Sequence, residues 1–173
     1  HLFMTDDYGE SWTEITSDLP EGSLYVVTED LVNPDLLFTG SEVGLYFSMD
    51  RGGNWARFMN GLPTVPVHDL IIHPRDHDLI AGTHGRGAWI ADNITPLQQL
   101  DQGIVDSEVH LFQPRDAYRF LMKGAPMEVH VDPSLGVNPT YGASIGYYLD
   151  AVPEGEVERS LLSEDGALIA SVQ

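Results

Sequence analysis

The sequence predicts an all-β protein built on a repeat of about 43 residues. An octet at residues 5–12 (TDDYGESW) recurs at residues 48–55 (SMDRGGNW), so the two copies start 43 positions apart. The flanking sequence repeats as well, because residues 33–50 match residues 75–93 with one residue of slippage. Residues 1–94 carry no helical period, and their apolar residues fall in short runs bounded by turn residues. That pattern is typical of β-strands.

Each copy of the repeat is predicted to form four short antiparallel strands. In the complete copy we expect these strands at about residues 24–29, 36–41, 44–49 and 54–59. In each copy an apolar strand ends in a glycine, a short loop reaches a second glycine, and an aromatic strand follows. These glycines are Gly40 and Gly44 in one copy and Gly82 and Gly87 in the other. A repeat of about 40–50 residues with four antiparallel strands is typical of a β-propeller blade.

The chain is therefore predicted to hold about two and a half four-stranded blades of an incomplete β-propeller. Residues 1–94 would contain the end of one blade, one whole blade and most of a third, which lacks the octet. Asn93 stands where Asp50 would recur, and Pro96 cannot donate a hydrogen bond within a central strand. The outer strand of this last blade would come from elsewhere in the protein. Because His1 is not an initiator and the chain stops inside an apolar run, we expect a piece of a longer protein.

Residues 95–142 are predicted as a connector and linker with a short helix. Thr95 is expected as the N-cap and Pro96 as the first helical residue, with the helix reaching Ile104. Strands are expected at residues 108–112 and 117–121, before a proline-rich linker. Residues 143–173 return to alternating apolar and polar residues, and we expect the first strands of a truncated β-sandwich there. Its predicted strands are 143–149, 155–162 and 167–172, with a turn at 164–166.

The composition excludes several functional classes. The chain has 27 Asp and Glu against 8 Lys and Arg, for a formal charge of −19, which argues against nucleic-acid binding. It contains no cysteine, so disulfides and thiol catalysis are excluded. No segment approaches the ~18 apolar residues that a membrane span requires. The acidic residues between 150 and 165 are expected to form a solvated face, with calcium as the alternative occupant.

The two octets resemble the Asp-box, with the pattern Thr/Ser-x-Asp-x-Gly-x-Ser/Thr-Trp. This motif occurs in sialidases, in sortilin-type receptors and in xyloglucanase-like glycoside hydrolases. The first copy matches it at Thr5, Asp7, Gly9, Ser11 and Trp12. The second copy matches it at Ser48, Asp50, Gly52 and Trp55, with Asn54 in place of the hydroxyl residue.

The resemblance implies a structural role for these residues. In the Asp-box families the motif lies on the hairpin between the third and fourth strands of a blade, away from the central ligand face. Physical reasoning agrees, because a carboxylate in a tight hairpin can accept backbone N–H bonds from the following turn. The resemblance also implies packing against preceding blades, an immunoglobulin-like or fibronectin-type module after the propeller, and a secreted or periplasmic location.

Two functions follow from the resemblance. The first is a non-catalytic portion of a propeller that binds a glycan, peptide or protein ligand or acts as a scaffold, without a cofactor. The alternative is the C-terminal part of a xyloglucanase-like glycoside hydrolase that cleaves O-glycosyl bonds, with its catalytic carboxylates mostly upstream. The sequence assigns no catalytic residue, because glycosidase chemistry needs two placed carboxylates and the chain offers many acids.

The candidates for ligand binding lie in the loop at residues 83–87 (THGRG), where His84 and Arg86 could contact a ligand and Arg86 could pair with a carboxylate. Packing against the adjacent blade is the alternative role of this loop. His68, His73 and His77 complete a histidine-rich segment interleaved with aspartates. Their spacing matches no strong metal motif, so we predict solvated or hydrogen-bonded loop histidines and no metal site.

Overall fold

The computed structural model describes residues 1–59, 61–119 and 142–172, and it shows an all-β protein. The strands form several small antiparallel sheets, and none of the described sheets closes into a barrel. The strands are β1 (Phe3–Met4), β2 (Thr13–Glu14), β3 (Leu24–Glu29), β4 (Leu37–Ser41), β5 (Gly44–Ser48), β6 (Ala56–Arg57), β7 (Val67–Ile72), β8 (Leu79–Thr83), β9 (Ala88–Ala91), β10 (Val109–Leu111), β11 (Tyr147–Leu149), β12 (Arg159–Leu162) and β13 (Leu168–Val172). The helices are α1 (Thr95–Gln99) and α2 (Gln102–Val105).

Three sheets come from the repeated part of the chain. Sheet I pairs β1 with β2, sheet II has the order β3-β4-β5-β6, and sheet III has the order β7-β8-β9. The predicted strands of the complete copy are present in sheet II, but β6 is shorter than the predicted segment 54–59. Residues 54 and 55 are instead part of the octet turn, and one further bond, from Phe58 N–H to the Leu45 carbonyl, continues the pairing beyond β6.

Two apolar cores connect these sheets, and each core lies between two sheets that follow one another along the chain. The larger core lies between sheets II and III, and its buried members include Phe38, Leu45, Val67, Leu70 and Leu79. The smaller core lies between sheets I and II and consists of Ile15, Leu19, Leu37 and Trp55, with Leu2, Met4, Leu24 and Tyr46 at its edge. Alternate apolar residues of each sheet therefore face a neighbouring sheet, as burial of one sheet face requires.

The predicted helix at residues 95–104 is wrong in its boundaries. Ile94 is the N-cap residue and Thr95 is the first helical residue, so Pro96 occupies the second position. The helix ends where Leu100 adopts an extended conformation, and Asp101 then caps α2 by accepting the N–H of Ile104 at 2.9 Å. The single predicted helix is thus divided because the Asp101 carboxylate offers a new helix start.

A buried side chain fixes α1 to the ends of sheets II and III. Gln98 is 7% exposed, and its amide donates to Oδ1 of Asp30, which is 5% exposed, at 2.8 Å. The other end of the Gln98 amide contacts Nδ1 of His77 at 2.8 Å. The second oxygen of Asp30 accepts the N–H groups of Val32 and Asn33. Both ends of the Gln98 amide and both oxygens of Asp30 therefore have partners, which is the condition for burying them at low cost.

The later strands form two further pairs. β10 pairs with β11, so a strand of the predicted connector pairs with a strand of the predicted C-terminal module. β12 and β13 form a hairpin around Gly166, which has a φ of 83°. Residues 117–119 do not form the predicted strand. Residues 120–121 and the linker up to residue 141 lie outside the described residues.

Candidate functional site

The first octet forms a tight turn that is closed by its own side chains. Oδ1 of Asp7 accepts the Thr5 hydroxyl at 2.8 Å and the Ser11 N–H at 2.9 Å. Oδ2 of Asp7 accepts the Ser11 hydroxyl at 2.6 Å. The Thr5 hydroxyl oxygen accepts the N–H of Gly9, whose φ of 92° is a conformation that favours glycine. Both oxygens of the carboxylate therefore serve the turn.

The second octet repeats these bonds although one residue departs from the pattern. Asp50 accepts the Ser48 hydroxyl at 2.8 Å and the Asn54 N–H at 2.8 Å. The side-chain amide of Asn54 donates to the other carboxylate oxygen at 2.7 Å, in place of the hydroxyl of Ser11. The Ser48 oxygen accepts the Gly52 N–H at 2.8 Å. Asparagine thus preserves the turn because its amide supplies the same donor.

Hydrogen bonding keeps both carboxylates ionised. The Ser11 hydroxyl, together with the Ser11 N–H and the Thr5 hydroxyl, lowers the pKa of Asp7 to about 2. Partial burial raises the pKa of Asp50, but the bonds from Asn54 and Ser48 outweigh it and lower the pKa below its usual value. Bonds to the charged form of a carboxylate have this effect. Neither group is placed to donate a proton at neutral pH.

The two tryptophans of the octets have different surroundings. Trp55 is 7% exposed, and its indole N–H donates to the carbonyl of Ile15 at 2.8 Å. Its backbone N–H donates to the carboxylate of Asp18 at 2.8 Å. Trp12, by contrast, is 61% exposed. The second octet therefore connects sheet II to sheet I, whereas the tryptophan of the first octet remains open to solvent.

The third copy has lost the groups that close the turn. Ser48 pairs with Leu37 in sheet II, and its equivalent in sheet III is Ala91, which pairs with Leu79. Alanine has no hydroxyl, so it cannot accept a turn N–H as Ser48 does. Asn93 replaces the aspartate, and its side-chain oxygen is buried without a hydrogen-bond partner in the described part of the chain. The chain then leaves the hairpin and enters α1.

Three exposed rings form a group at the ends of sheets II and III that lie away from the octets. The rings of Tyr25 and His68 are stacked, with centroids 4.1 Å apart and planes 14° apart. The ring of His84 lies 5.5 Å from that of His68 at an angle of 35°. All three side chains are exposed. We call Tyr25, His68 and His84 the ring stack.

The backbone explains why two of these rings meet. The pairing of β3 with β4 shifts register at Tyr25, and that of β7 with β8 shifts at His68. A β-bulge of this kind redirects the side chain of the extra residue. Tyr25 and His68 lie 43 positions apart in the sequence, so they occupy the same position of successive repeats. The repeat thus places two rings on one end of the molecule.

The 83–87 loop lies beside the ring stack. The N–H of His84 donates to the Pro66 carbonyl at 2.9 Å, and the Thr83 hydroxyl donates to the Gly87 carbonyl at 2.6 Å. The indole N–H of Trp89 donates to the Arg86 carbonyl at 3.1 Å. Arg86 is exposed and makes no ion pair with any described residue. The two predicted ligand-binding residues, His84 and Arg86, therefore lie on one accessible loop.

The remaining predicted histidines lie at the other end of β7. Nδ1 of His73 accepts the Asp76 N–H at 3.1 Å, a role that requires the ring nitrogen to be unprotonated. The same ring nitrogen lies 3.3 Å from the Asp76 carboxylate. His77 contacts Gln98, as described above. Within the described ranges, no three His, Cys, Asp or Glu side chains are placed to hold a metal ion.

Sequence reasoning missed Tyr25 as a functional candidate. The same spacing that relates the two octets also relates Tyr25 to His68, and that spacing was the signal that could have found it. The contact itself depends on how sheets II and III pack.

A separate cavity of about 460 Å³ lies between the second octet and the α1–α2 turn. Its lining includes Phe47, Trp55, Leu100 and Val105.

Comparisons with known proteins add no family to these observations. In the ranges 1–59, 61–119 and 142–172, no helix is long and apolar enough to cross a bilayer. The resemblance to Asp-box repeats rests on the residues and hydrogen bonds described above. No family model, curated protein or solved structure matches the chain.

Proposed function

We propose that the chain is a portion of an Asp-box β-propeller that binds a ligand without catalysing a reaction. The observation that carries this proposal is the contact between Tyr25 and His68. These residues occupy equivalent positions of successive repeats, and their rings lie 4.1 Å apart. Neighbouring propeller blades bring equivalent positions together around a common axis. An exposed surface built in this way can bind a ligand through several repeats at once.

The order of the strands supports the propeller. The first strands of sheets II and III, β3 and β7, pack against each other. The second octet, which precedes the fourth strand of sheet II, packs on sheet I through Trp55. In a propeller the first strand of each blade is innermost and the fourth is outermost. The ring stack then belongs to the inner strands and the octets to the outer ones.

The exposed face of sheet I supports packing against a further blade. Trp55 is covered by residues of the preceding repeat, whereas Trp12 is exposed although the octets form the same turn. A preceding blade would cover Trp12 as sheet I covers Trp55. We propose that the chain packs there against further blades of its own protein, and that this protein is secreted or periplasmic, as the Asp-box resemblance implies.

Binding variants test the proposed function. We expect Tyr25→Ala and His68→Ala to weaken binding of any ligand recovered from glycan and peptide arrays, since aromatic platforms contribute strongly to recognition. The matched controls are Val27→Ala and Ile71→Ala, which truncate exposed side chains on the same two strands. Unfolding midpoints should stay similar in all four variants. Ligand binding that is unaffected by both ring substitutions would contradict the proposal.

One observation favours the glycoside hydrolase alternative. Partial burial raises the pKa of Asp92, and the negative charge of Asp78 adds to the effect. A carboxyl group with a raised pKa near a second carboxylate is the arrangement of a glycosidase acid and its partner. The alternative predicts release of reducing sugar from polysaccharides by the chain or its parent protein. Because its catalytic carboxylates would lie mostly upstream, the alternative predicts that Asp92→Asn lowers this release without abolishing it, with Asp116→Asn as the matched control.

A further inference from the structure

We propose that the cavity between the second octet and the α1–α2 turn binds an aromatic ammonium ion, a small cation that joins an aromatic ring to a protonated amine. The cavity lies at the octet end of sheet II, away from the ring stack, so this site goes beyond the proposed function. Its volume of about 460 Å³ falls within the range of sites that hold small organic ligands, ~300–1,000 Å³. Its apolar walls, its polar rim and its charge define the ligand.

The cavity lies where the third copy of the repeat lacks a tryptophan. Trp55 belongs to the smaller core between sheets I and II, and Met4 packs at the edge of that core. In the next copy, the counterpart of Met4 is Phe47 and the counterpart of Trp55 is Gln98, each 43 positions further along the chain. The side chain of Gln98 is instead bonded to Asp30 in the buried network. The space that an indole ring fills in the smaller core is therefore open beside Phe47.

The walls of the cavity suit an aromatic ring. Phe47 and Met49 line it from sheet II, and Leu100 and Val105 line it from the α1–α2 segment. The ring of Phe47 is held edge-on to that of Phe58, with centroids 6.1 Å apart and planes 86° apart. Aromatic rings and methionine sulfur both make favourable contacts with a further ring. A ligand ring between these walls would thus take the place that the repeat gives to an indole.

The polar side chains of the cavity offer acceptors to a ligand. The side-chain amino group of Asn54 donates to Asp50 at 2.7 Å, and that of Gln102 donates to Asp106 at 2.8 Å. Within the described part of the chain, the carbonyl oxygens of these two amides receive no hydrogen bond. Asp101 uses one carboxylate oxygen to cap α2, and its second oxygen likewise has no donor among the described residues. An ammonium group brings three N–H donors to such a rim.

The charge of the cavity favours a cation. Its lining contains the carboxylates of Asp50 and Asp101 and, among the described residues, no lysine, arginine or histidine. The nearest arginine in sequence, Arg51, pairs with Asp6, and the guanidinium of Arg57 donates to a backbone carbonyl. A cleft lined by one sign of charge concentrates ions of the opposite sign, and the formal charge of −19 acts in the same direction.

The combination of walls and rim excludes simpler ligands. A metal ion would leave the apolar walls without a partner, and no three acidic or histidine side chains of the described ranges are placed to hold one. A neutral aromatic molecule would displace water from the carboxylates without replacing its hydrogen bonds, which is unfavourable. An ammonium group within about 6 Å of an aromatic ring also gains cation–π attraction. The site should therefore prefer a ligand that carries both the ring and the charge.

The test compares indoles of similar shape and different charge: tryptamine, the neutral alcohol tryptophol and the anion indole-3-propionate. Calorimetric titration of the chain at about 0.15 M sodium chloride, where the Debye length is about 8 Å, gives each dissociation constant. Shifts of the Gln102 and Val105 amides and of the Trp55 indole N–H in the 15N-labelled chain locate the ligand. We expect saturable binding of tryptamine, about 10-fold weaker binding of tryptophol and no binding of the anion. Hexylamine, which has the charge without the ring, should bind several-fold more weakly than tryptamine.

Variants of the rim and the wall give the second readout. Asp101→Asn removes a charge but keeps the helix cap, because asparagine is as good an N-cap residue as aspartate. It should weaken tryptamine binding about 10-fold at an unchanged unfolding midpoint. Val105→Trp should block binding, because it places a ring in the cavity from α2. Glu42→Gln is the matched control, since it removes one exposed carboxylate beyond the other end of β5, and it should bind as the unaltered chain does.

Four outcomes would overturn the ammonium site. Equal affinity for tryptamine and tryptophol would make the cavity an apolar site, open to a neutral ligand or to an outer strand. Equal affinity for tryptamine and hexylamine would remove the aromatic requirement. No saturable binding, as when a second copy of the chain covers the cavity, or the same affinity in Asp101→Asn would contradict the site itself.

The ring-stack variants separate this site from the proposed function. Tyr25→Ala and His68→Ala should leave tryptamine binding unchanged, because both rings lie at the other end of the strands. Loss of tryptamine binding in either variant would place the amine at the ring stack and overturn the cavity site. The proposed function fails separately, if array ligands bind without regard to Tyr25 and His68.

Discussion

Substitution of Asp50 by alanine tests whether the second octet stabilises the fold. The side chain accepts three hydrogen bonds, from the Ser48 hydroxyl and from the backbone and side chain of Asn54, at 2.7–2.8 Å. A net contribution of about 0.5–1.5 kcal/mol per bond gives a sum of roughly 1.5–4.5 kcal/mol. Because Asp50 lies near the surface, water replaces part of this sum. We expect a loss of about 1–3 kcal/mol in the free energy of unfolding.

The loss should appear as a lower unfolding temperature. A change of 1 kcal/mol shifts the midpoint by roughly 2–4 °C in a domain of this size, so Asp50→Ala should lower it by about 2–12 °C. The shift has a structural cause beyond the turn. Gly52, two residues after Asp50, lies so close to Ile15 that an added β-carbon would be 2.7 Å from the Ile15 β-carbon. A loosened turn therefore disturbs the contact between sheets I and II.

The first octet provides the matched control. Asp7 makes the same kinds of bonds, but its turn is exposed and its tryptophan is not packed on another sheet. Asp7→Ala should therefore lower the midpoint less than Asp50→Ala. Thermal unfolding followed by tryptophan fluorescence and circular dichroism measures both variants. An unfolding curve of Asp50→Ala that overlays the unaltered chain, or equal losses in the two variants, would refute this reasoning.

Three further outcomes are expected. Gly40→Ala should strongly destabilise the chain in urea denaturation, because its β-carbon would lie 2.8 Å from a Val26 methyl group and still closer to a backbone carbonyl. The equivalent change Gly82→Ala should have a mild effect in the same assay, because its β-carbon would meet no atom nearer than 3.4 Å. The pKa of Asp7 is about 2 in the folded chain against an ordinary 3.8, so its stabilising effect is complete above about pH 4 and is lost as the pH falls towards 2. The midpoint of Asp7→Asn should thus change less over this range than that of the unaltered chain, and equal pH profiles would contradict the assignment. Finally, β9 is an edge strand with Ile90 58% exposed, and an exposed edge favours pairing with a second copy of the chain. We therefore expect the chain to self-associate and Ile90→Lys to lower the molar mass measured by light scattering; an equal molar mass would argue against association through this edge.

The strands near the glycines could be predicted from sequence because local rules determine them. β3 has the predicted bounds, while β4 and β5 differ from the predicted segments by one residue at one end. Here alternation, β-branched residues and turn glycines all favour the same structure. β6 is shorter than predicted because Trp55 leaves the strand pattern and donates its N–H to Asp18. That partner is 37 residues away, so no local pattern could reveal it.

Tertiary contacts explain the other differences. The division of the predicted helix follows from the cap at Asp101, which competes with a continuous helix through Leu100. Gln98 looks like a surface residue in sequence, yet it is buried between Asp30 and His77. The ring stack escaped prediction for a related reason. A repeat shows which positions are equivalent, but only the packing of two sheets shows whether equivalent side chains meet.

Under the proposed function, stability and ligand recognition depend on opposite ends of the strands of this repeat. The octets use their carboxylates within turns, and the second octet connects two sheets through Trp55. The bulges place the rings of Tyr25 and His68 at the other end of the strands. Sites that are far apart and share no partner contribute additively to the free energy. The double variant Asp50→Ala and His68→Ala should therefore show the stability loss of the first change and the affinity loss of the second, without coupling. A coupling energy above about 0.5 kcal/mol would mean that the octets also shape the ligand surface.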